Sequence, residues 1–149
     1  MTAGEYCNRE VIIVESTISV TEAAVLMRRH HVGDLVVVEK AGGQARPVGI
    51  ITDRDIVIEV VAQKIDPDSL TVNDIMSTDP VSVVEATSLL DTLDLMKQHG
   101  IRRMLVVDDS GSLQGLLTAD DAIELIAEQL SDLIQLVNRE VTRERKQHP

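Results

Sequence analysis

Gly49-Ile50-Ile51-Thr52-Asp53-Arg54-Asp55 and Gly115-Leu116-Leu117-Thr118-Ala119-Asp120-Asp121 carry one pattern twice: glycine, two aliphatic residues, threonine, two variable residues, aspartate. Upstream, Glu22 to Glu39 (EAAVLMRRHHVGDLVVVE) aligns with Asp91 to Asp108 (DTLDLMKQHGIRRMLVVD), so that Met27 faces Met96, His30 faces His99 and Val38 faces Val107. The copies lie about 69 residues apart in the upstream block and about 66 apart at the motif. The Gly42-Gly43-Gln44-Ala45-Arg46-Pro47 turn of the first copy absorbs the difference, because insertions settle in surface loops. Two repeats are too few for a solenoid. They are expected to bury one face against each other, which makes two equivalent clefts.

Each copy runs through the same periods. Val11-Ile12-Ile13-Val14 is a short β-branched run, and Ser19-Val20-Thr21-Glu22 is a capping box opening a helix that continues to His31. Leu35 to Val38 and Val48 to Ile51 predict strands flanking the Gly42-Gly43 turn, and Thr52 to Gln63 has helical spacing at Ile56, Val57, Val60 and Val61. The second copy predicts strands at Val81 to Val84, Met104 to Val107 and Gln114 to Leu117. Its helices run from Ser88 to His99, stopped by Gly100, and onward from Thr118. Residues 64–70 read as a linker, followed by the capping box Thr71-Val72-Asn73-Asp74. The fold expected is α+β, two pseudo-symmetric strand-helix-strand-strand-helix repeats at 1–66 and 67–130, with an extended helix over 131–149.

That last helix outruns the repeat. Ile123, Ile126, Leu130, Leu133 and Val137 follow 3-4-3-4 spacing and keep a narrow apolar seam on one side. The seam either folds back on its own domain or makes a homodimer contact, and the homodimer is the expectation.

Composition narrows the partners. With 149 residues the chain can bury a real core without staples, and its single Cys7 cannot form an internal disulfide. No apolar run reaches the ~20 residues that cross a bilayer, and the acidic start lacks the features of a secretion signal. A cytoplasmic protein without membrane partners is expected. A net charge of -11, with one Tyr, no Phe and no Trp, disfavours nucleic acid, which needs cations and stacking rings. A flat ligand would have to lie between aliphatic side chains.

In both motifs the Thr follows a strand and the Asp stands three residues on, which is the spacing of a helix N-terminal cap. The same pair could also serve a ligand. A helix N-terminus presents free N–H groups and a positive dipole end to a phosphate, and an adjacent carboxylate can accept two ribose hydroxyls. The duplicated motif, the repeat order and the Gly100 to Asp108 strand resemble a tandem pair of cystathionine beta-synthase domains, the CBS pair or Bateman module, over about residues 5–130. The resemblance implies a pseudo-twofold disc, pairing between discs through their helices, and two clefts for adenosine-containing ligands such as AMP, ADP, ATP or S-adenosylmethionine. Carried over by position, Asp55 and Asp121 would bind ribose hydroxyls and Thr52 and Thr118 ribose or phosphate. Arg102 and Arg103 would meet phosphate, with Ile12, Ile13, Val81 and Ser82 lining the adenine pocket.

The copies also differ. Gly33-Asp34 stands where the second copy has Arg102-Arg103, and Arg54, a further candidate ligand contact, is matched by Asp120, so the clefts should be unequal. Arg102 and Arg103 could instead be a strand face paired with acids. His30, His31 and His99 sit at helix ends, where a cation meets the negative dipole end, and Cys7 has neither metal-ligand spacing nor a nameable base. No catalytic residue, metal or obligatory cofactor is expected. The reading is a regulatory sensor acting through another, unidentified protein; the rival is a ligand-independent homodimeric assembly protein with vestigial clefts.

Overall fold

The computed structural model describes residues 1–148, which fall into two compact units: residues 1–117, and the residues from Thr118 onward. The first unit contains α1 (Ala3–Tyr6), β1 (Ile13–Val14), α2 (Val20–His30), β2 (Asp34–Ala41), β3 (Gln44–Thr52), α3 (Asp53–Ile56), α4 (Val72–Ile75), β4 (Ser77–Thr78), β5 (Ser82–Val84), α5 (Leu89–His99), β6 (Arg103–Val107) and β7 (Leu113–Thr118). The second is one 29-residue helix, α6 (Ala119–Gln147). Two sheets form, in the orders β1-β2-β3-β4 and β5-β6-β7. In both, the first pair is parallel: Ile13 faces Val36 as Ser82 faces Leu105. The fold is α+β, built from two pseudo-symmetric repeats with an extended C-terminal helix.

The aliphatic runs of β2 and β6 are continuous because both faces are covered. Leu35 and Val37 join Val14, Ala23, Met27, Ile51 and Val72 in a core beneath α2. Val36 and Val38, pointing the other way, pack with Leu105 and Leu116 of the second repeat. The two repeats do bury a shared face. Ser19 and Ser88 cap α2 and α5, accepting the N–H groups of Glu22 and Asp91, both at 3.1 Å. His31 (φ 53°) and Gly100 (φ 62°) end these helices in the left-handed region.

The repeats exchange their leading segments. Ala3 N–H donates to Thr87 C=O at 2.8 Å, and its repeat mate Val72 to Ile18 C=O at 2.9 Å. Gly4 to Glu85 and Asn73 to Ser16, both 3.0 Å, repeat the pattern. Asn8 bridges Leu116 as Ser77 pairs with Ile50. The N-terminal segment therefore lies on the second repeat, and the segment after the linker lies on the first.

This crossing explains the motif glycines. A Cβ on Gly49 would stand 2.5 Å from Ser77 O and 2.7 Å from Met76 Sδ. On Gly115 it would stand 2.5 Å from Cys7 Sγ and 2.8 Å from Asn8 O. Each glycine is where the exchanged segment passes over the strand.

Several elements differ from the sequence reading. The hairpin strands extend beyond their apolar cores to Ala41 and from Gln44, because the longer first-copy turn continues the ladder. The helix expected over 52–63 is α-helical only to Ile56 and widens into a π-turn at Val57–Val61, where Ala62 N–H reaches Val57 C=O at 2.9 Å. The strand expected over 11–14 contracts to two residues. Pro67–Ser69 forms a 3₁₀ turn inside the linker.

Candidate functional site

The first motif ends β3 at the wall of a cleft of about 300 Å³, near the low end of the roughly 300–1,000 Å³ of small-molecule sites. Ile50 and Thr52 come from β3, Ser77 to Val81 from β4 and the crossover to β5, and Ile101 to Arg103 from the entry into β6. Ile50, Pro80, Val81 and Ile101 give aliphatic surface on which a flat group can lie. Thr52, Ser77 and Thr78 supply hydroxyls to the lining, Arg102 and Arg103 contribute cationic side chains and Asp79 a carboxylate.

Thr52 and Asp55 form a complete capping box. Thr52 Oγ1 accepts the Asp55 N–H at 3.1 Å, and Asp55 Oδ2 accepts the Thr52 N–H at 2.9 Å. The box fixes the threonine at the cleft wall and commits one carboxylate oxygen, while the second oxygen, Oδ1, is outside that pair of bonds. At the start of α6, Thr118 Oγ1 accepts the Asp121 N–H at 3.1 Å, which is the hydroxyl half of the same box.

Arg103 is held in place. Its Nε donates to Asp34 Oδ2 at 2.7 Å, and both side chains are partly buried. These are the same position in the two repeats, 69 residues apart, so the pseudo-twofold relation brings the two unlike residues into contact. The Arg103 side chain is thus both a cleft-lining residue and an acid-paired one.

Of the residues singled out in the sequence, Thr52, Val81, Arg102 and Arg103 line this cleft, and Asp55 adjoins it through Thr52. Arg54 is exposed on α3 and Ser82 is exposed on β5, both outside the lining. Ile12 precedes β1, and Ile13 lies in it, bordering a different depression with Glu15, Glu22 and Lys40. Thr118 and Asp121 belong to the second unit. Sequence reasoning missed Ile50, Ile101 and the run Ser77 to Pro80. One signal was present in that run: Asp-Pro favours a turn, and Asp79 has φ 51°, a conformation that aspartate tolerates.

Cys7 is no activated nucleophile. Burial pushes its thiol pKa up; Arg9 opposes and Glu85 adds to the rise, while Sγ donates to Gly4 C=O at 3.6 Å. Alkylation by iodoacetamide at pH 8 should therefore run several-fold slower in the native protein than in urea. Equal rates would contradict the shift. Among the described residues, no three His, Cys, Asp or Glu side chains gather as a metal site, and no helix is long and apolar enough to cross a membrane.

The CBS domain family profile matches residues 3–62 and 72–128, and the chain belongs to that family. An uncharacterized protein of Methanopyrus kandleri is 38% identical over 125 residues, covering 84% of this chain and 62% of the relative, so the chain spans under two thirds of that protein. A CBS domain protein from Pyrobaculum aerophilum, solved in complex with AMP, has 27% identity and a TM-score of 0.72, covering 81% of this chain and 89% of its own. The CBS domain pair of protein MJ0100, in complex with methylthioadenosine and S-adenosyl-L-methionine, has 26% identity and a TM-score of 0.74 over 87% of this chain and 98% of its own.

Proposed function

We propose that this chain is a regulatory module that binds an adenosine-containing ligand in the cleft between Thr52 and Arg103, and converts occupancy into a change of shape or of affinity for another protein. The observation that carries this is the cleft itself: a capped helix start on one side, two arginines on another, and aliphatic surface between them. The ligands of the Pyrobaculum aerophilum protein and of MJ0100 support the adenosyl class. In this reading Val81, Ile50 and Ile101 hold the adenine, Asp55 Oδ1 accepts ribose hydroxyls, and Thr52 with Arg102 and Arg103 meets the phosphate. Thr118 and Asp121 are proposed to take the ribose and phosphate roles for a ligand at the second motif.

Calorimetric titration with AMP, ATP and S-adenosylmethionine tests it. Saturable heat with at least one of them is expected; none with any would favour the ligand-independent assembly reading. Asp55→Ala should weaken AMP binding by roughly 10- to 150-fold, corresponding to the ~1.5–3 kcal/mol of a hydrogen bond to a charged group. The lost cap should cost about 1 kcal/mol of stability. Asp55→Asn keeps an oxygen for the Thr52 N–H while losing the charge, so stability should largely return and affinity should not. A stability loss in Asp55→Ala at unchanged affinity would leave the carboxylate as a cap alone.

A further inference from the structure

Among the described residues, three besides glycine have positive φ: His31 (53°), Lys64 (57°) and Asp79 (51°). The first two end helical segments, where Val32 N–H returns to Met27 C=O and Ile65 N–H to Val60 C=O, both at 3.1 Å, a closure that a left-handed residue makes possible. Asp79 ends no helix. It stands in the crossover from β4 to β5, directly before Pro80, where a residue is ordinarily extended. The fold does not demand this geometry. Ser77 corresponds to Asn8 and Ser82 to Ile13, so Asp79 corresponds to Glu10, which makes the same crossing without a positive φ. There the Glu10 N–H closes a turn on Asn8 Oδ1 at 2.9 Å instead. Backbone strain that the fold does not require clusters at ligand clamps, and Asp79 lines the cleft.

Its carboxylate changes the charge that the cleft can accept. Of the lining residues, Arg102 and Arg103 are cations and Asp79 is an anion, and Arg103 is already bonded to Asp34 at 2.7 Å. Two positive side chains thus stand with two negative ones. An opening of about 300 Å³ is no wider than about a Debye length, so salt screens these charges from a ligand only in part. The arginines can meet one phosphate, whereas each further phosphate adds negative charge in the presence of Asp79. We propose that Asp79 sets the ligand's charge: held in the lining by its left-handed backbone, it makes the cleft select a nucleoside monophosphate over the di- or triphosphate of the same nucleoside. The proposal rests on the adenosyl reading of the cleft and names the residue that limits how much phosphate the ligand carries.

Calorimetric titration with adenosine, AMP, ADP and ATP in magnesium-free buffer tests it. The wild-type protein should bind AMP more tightly than ADP, and ADP more tightly than ATP. Asp79→Asn keeps the side chain's shape and its tolerance for left-handed backbone but removes the charge. It should raise ATP affinity several-fold, AMP affinity less and adenosine affinity not at all. Asp79→Gly, which relieves the backbone as well, should reproduce the gain for ATP without loss of thermal stability. ATP bound as tightly as AMP by the wild type, or an Asp79→Asn effect equal on adenosine, AMP and ATP, would overturn the proposal and leave the adenosyl reading in place. If none of the four binds, the proposal falls, and titration with S-adenosylmethionine then decides whether the adenosyl reading falls with it.

Discussion

Gly49→Ala should lower stability by about 1–3 kcal/mol, the usual cost of forcing volume into a packed site, and should weaken binding in the cleft at the same time. The added Cβ would meet Ser77 O, a backbone atom that cannot rotate away, in the pairing of Gly49 with Thr78 and Ile50 with Ser77. Relief requires β4 to move, and Ser77 and Thr78 are part of the cleft wall. Gly115→Ala makes the matching clash with Cys7 and Asn8, neither of which lines that cleft, so its stability loss should be similar while AMP binding in the cleft is kept. Gly111→Ala is the control: φ is 86° and nothing lies within 4 Å, so the cost is backbone strain alone, roughly 1–2 kcal/mol. Thermal unfolding and AMP titration of the three variants decide this. Equal affinity loss in Gly49→Ala and Gly115→Ala would mean that destabilisation, not wall displacement, governs binding.

How far the sequence could be read depends on the range of the interaction that fixes each element. Ser19, Ser88, Thr52 and Thr118 cap helices through bonds to the residue three further on, so the motif alone places them. Leu35 to Val38 and Met104 to Val107 announce themselves as strands because burial on both faces leaves no polar interruption. By contrast, α1 and β4 have no periodicity to detect; they exist because the exchanged segments bond to Thr87, Glu85 and Gly49 many residues away. The π-turn at Val57–Val61 is likewise silent, since a β-branched run with one acid carries no mark of an i→i+5 pattern.

The candidate site divides along the same line. Thr52 and Asp55 are a local pair and were legible. Ser77 to Pro80 reach the cleft only because β4 adds to the edge of the first sheet, a consequence of the exchange. The alignment of Asp34 with Arg103 established equivalence but not proximity. Proximity follows only when the repeats pair about an axis passing between these two positions, which the Val36, Val38, Leu105 and Leu116 core imposes.

The contact between Asp34 and Arg103 yields a prediction with opposite signs at its two ends. Arg103→Ala should reduce AMP affinity by roughly 10- to 150-fold, the range for losing a charge-assisted hydrogen bond, while adenosine, which lacks the phosphate, should bind nearly as before. Asp34→Asn removes the carboxylate that now engages Arg103 Nε at 2.7 Å. The guanidinium keeps its place at the cleft but loses its competing anion, so AMP affinity should rise several-fold, again with adenosine unchanged. Ordinary damage to the fold cannot produce this result, because it would weaken both ligands in both variants. The acid that stands in the first repeat where the second has arginine is the one that holds that arginine. If Arg103→Ala weakens AMP and adenosine equally, the ion pair is a strut between the repeats, and the phosphate must be met elsewhere.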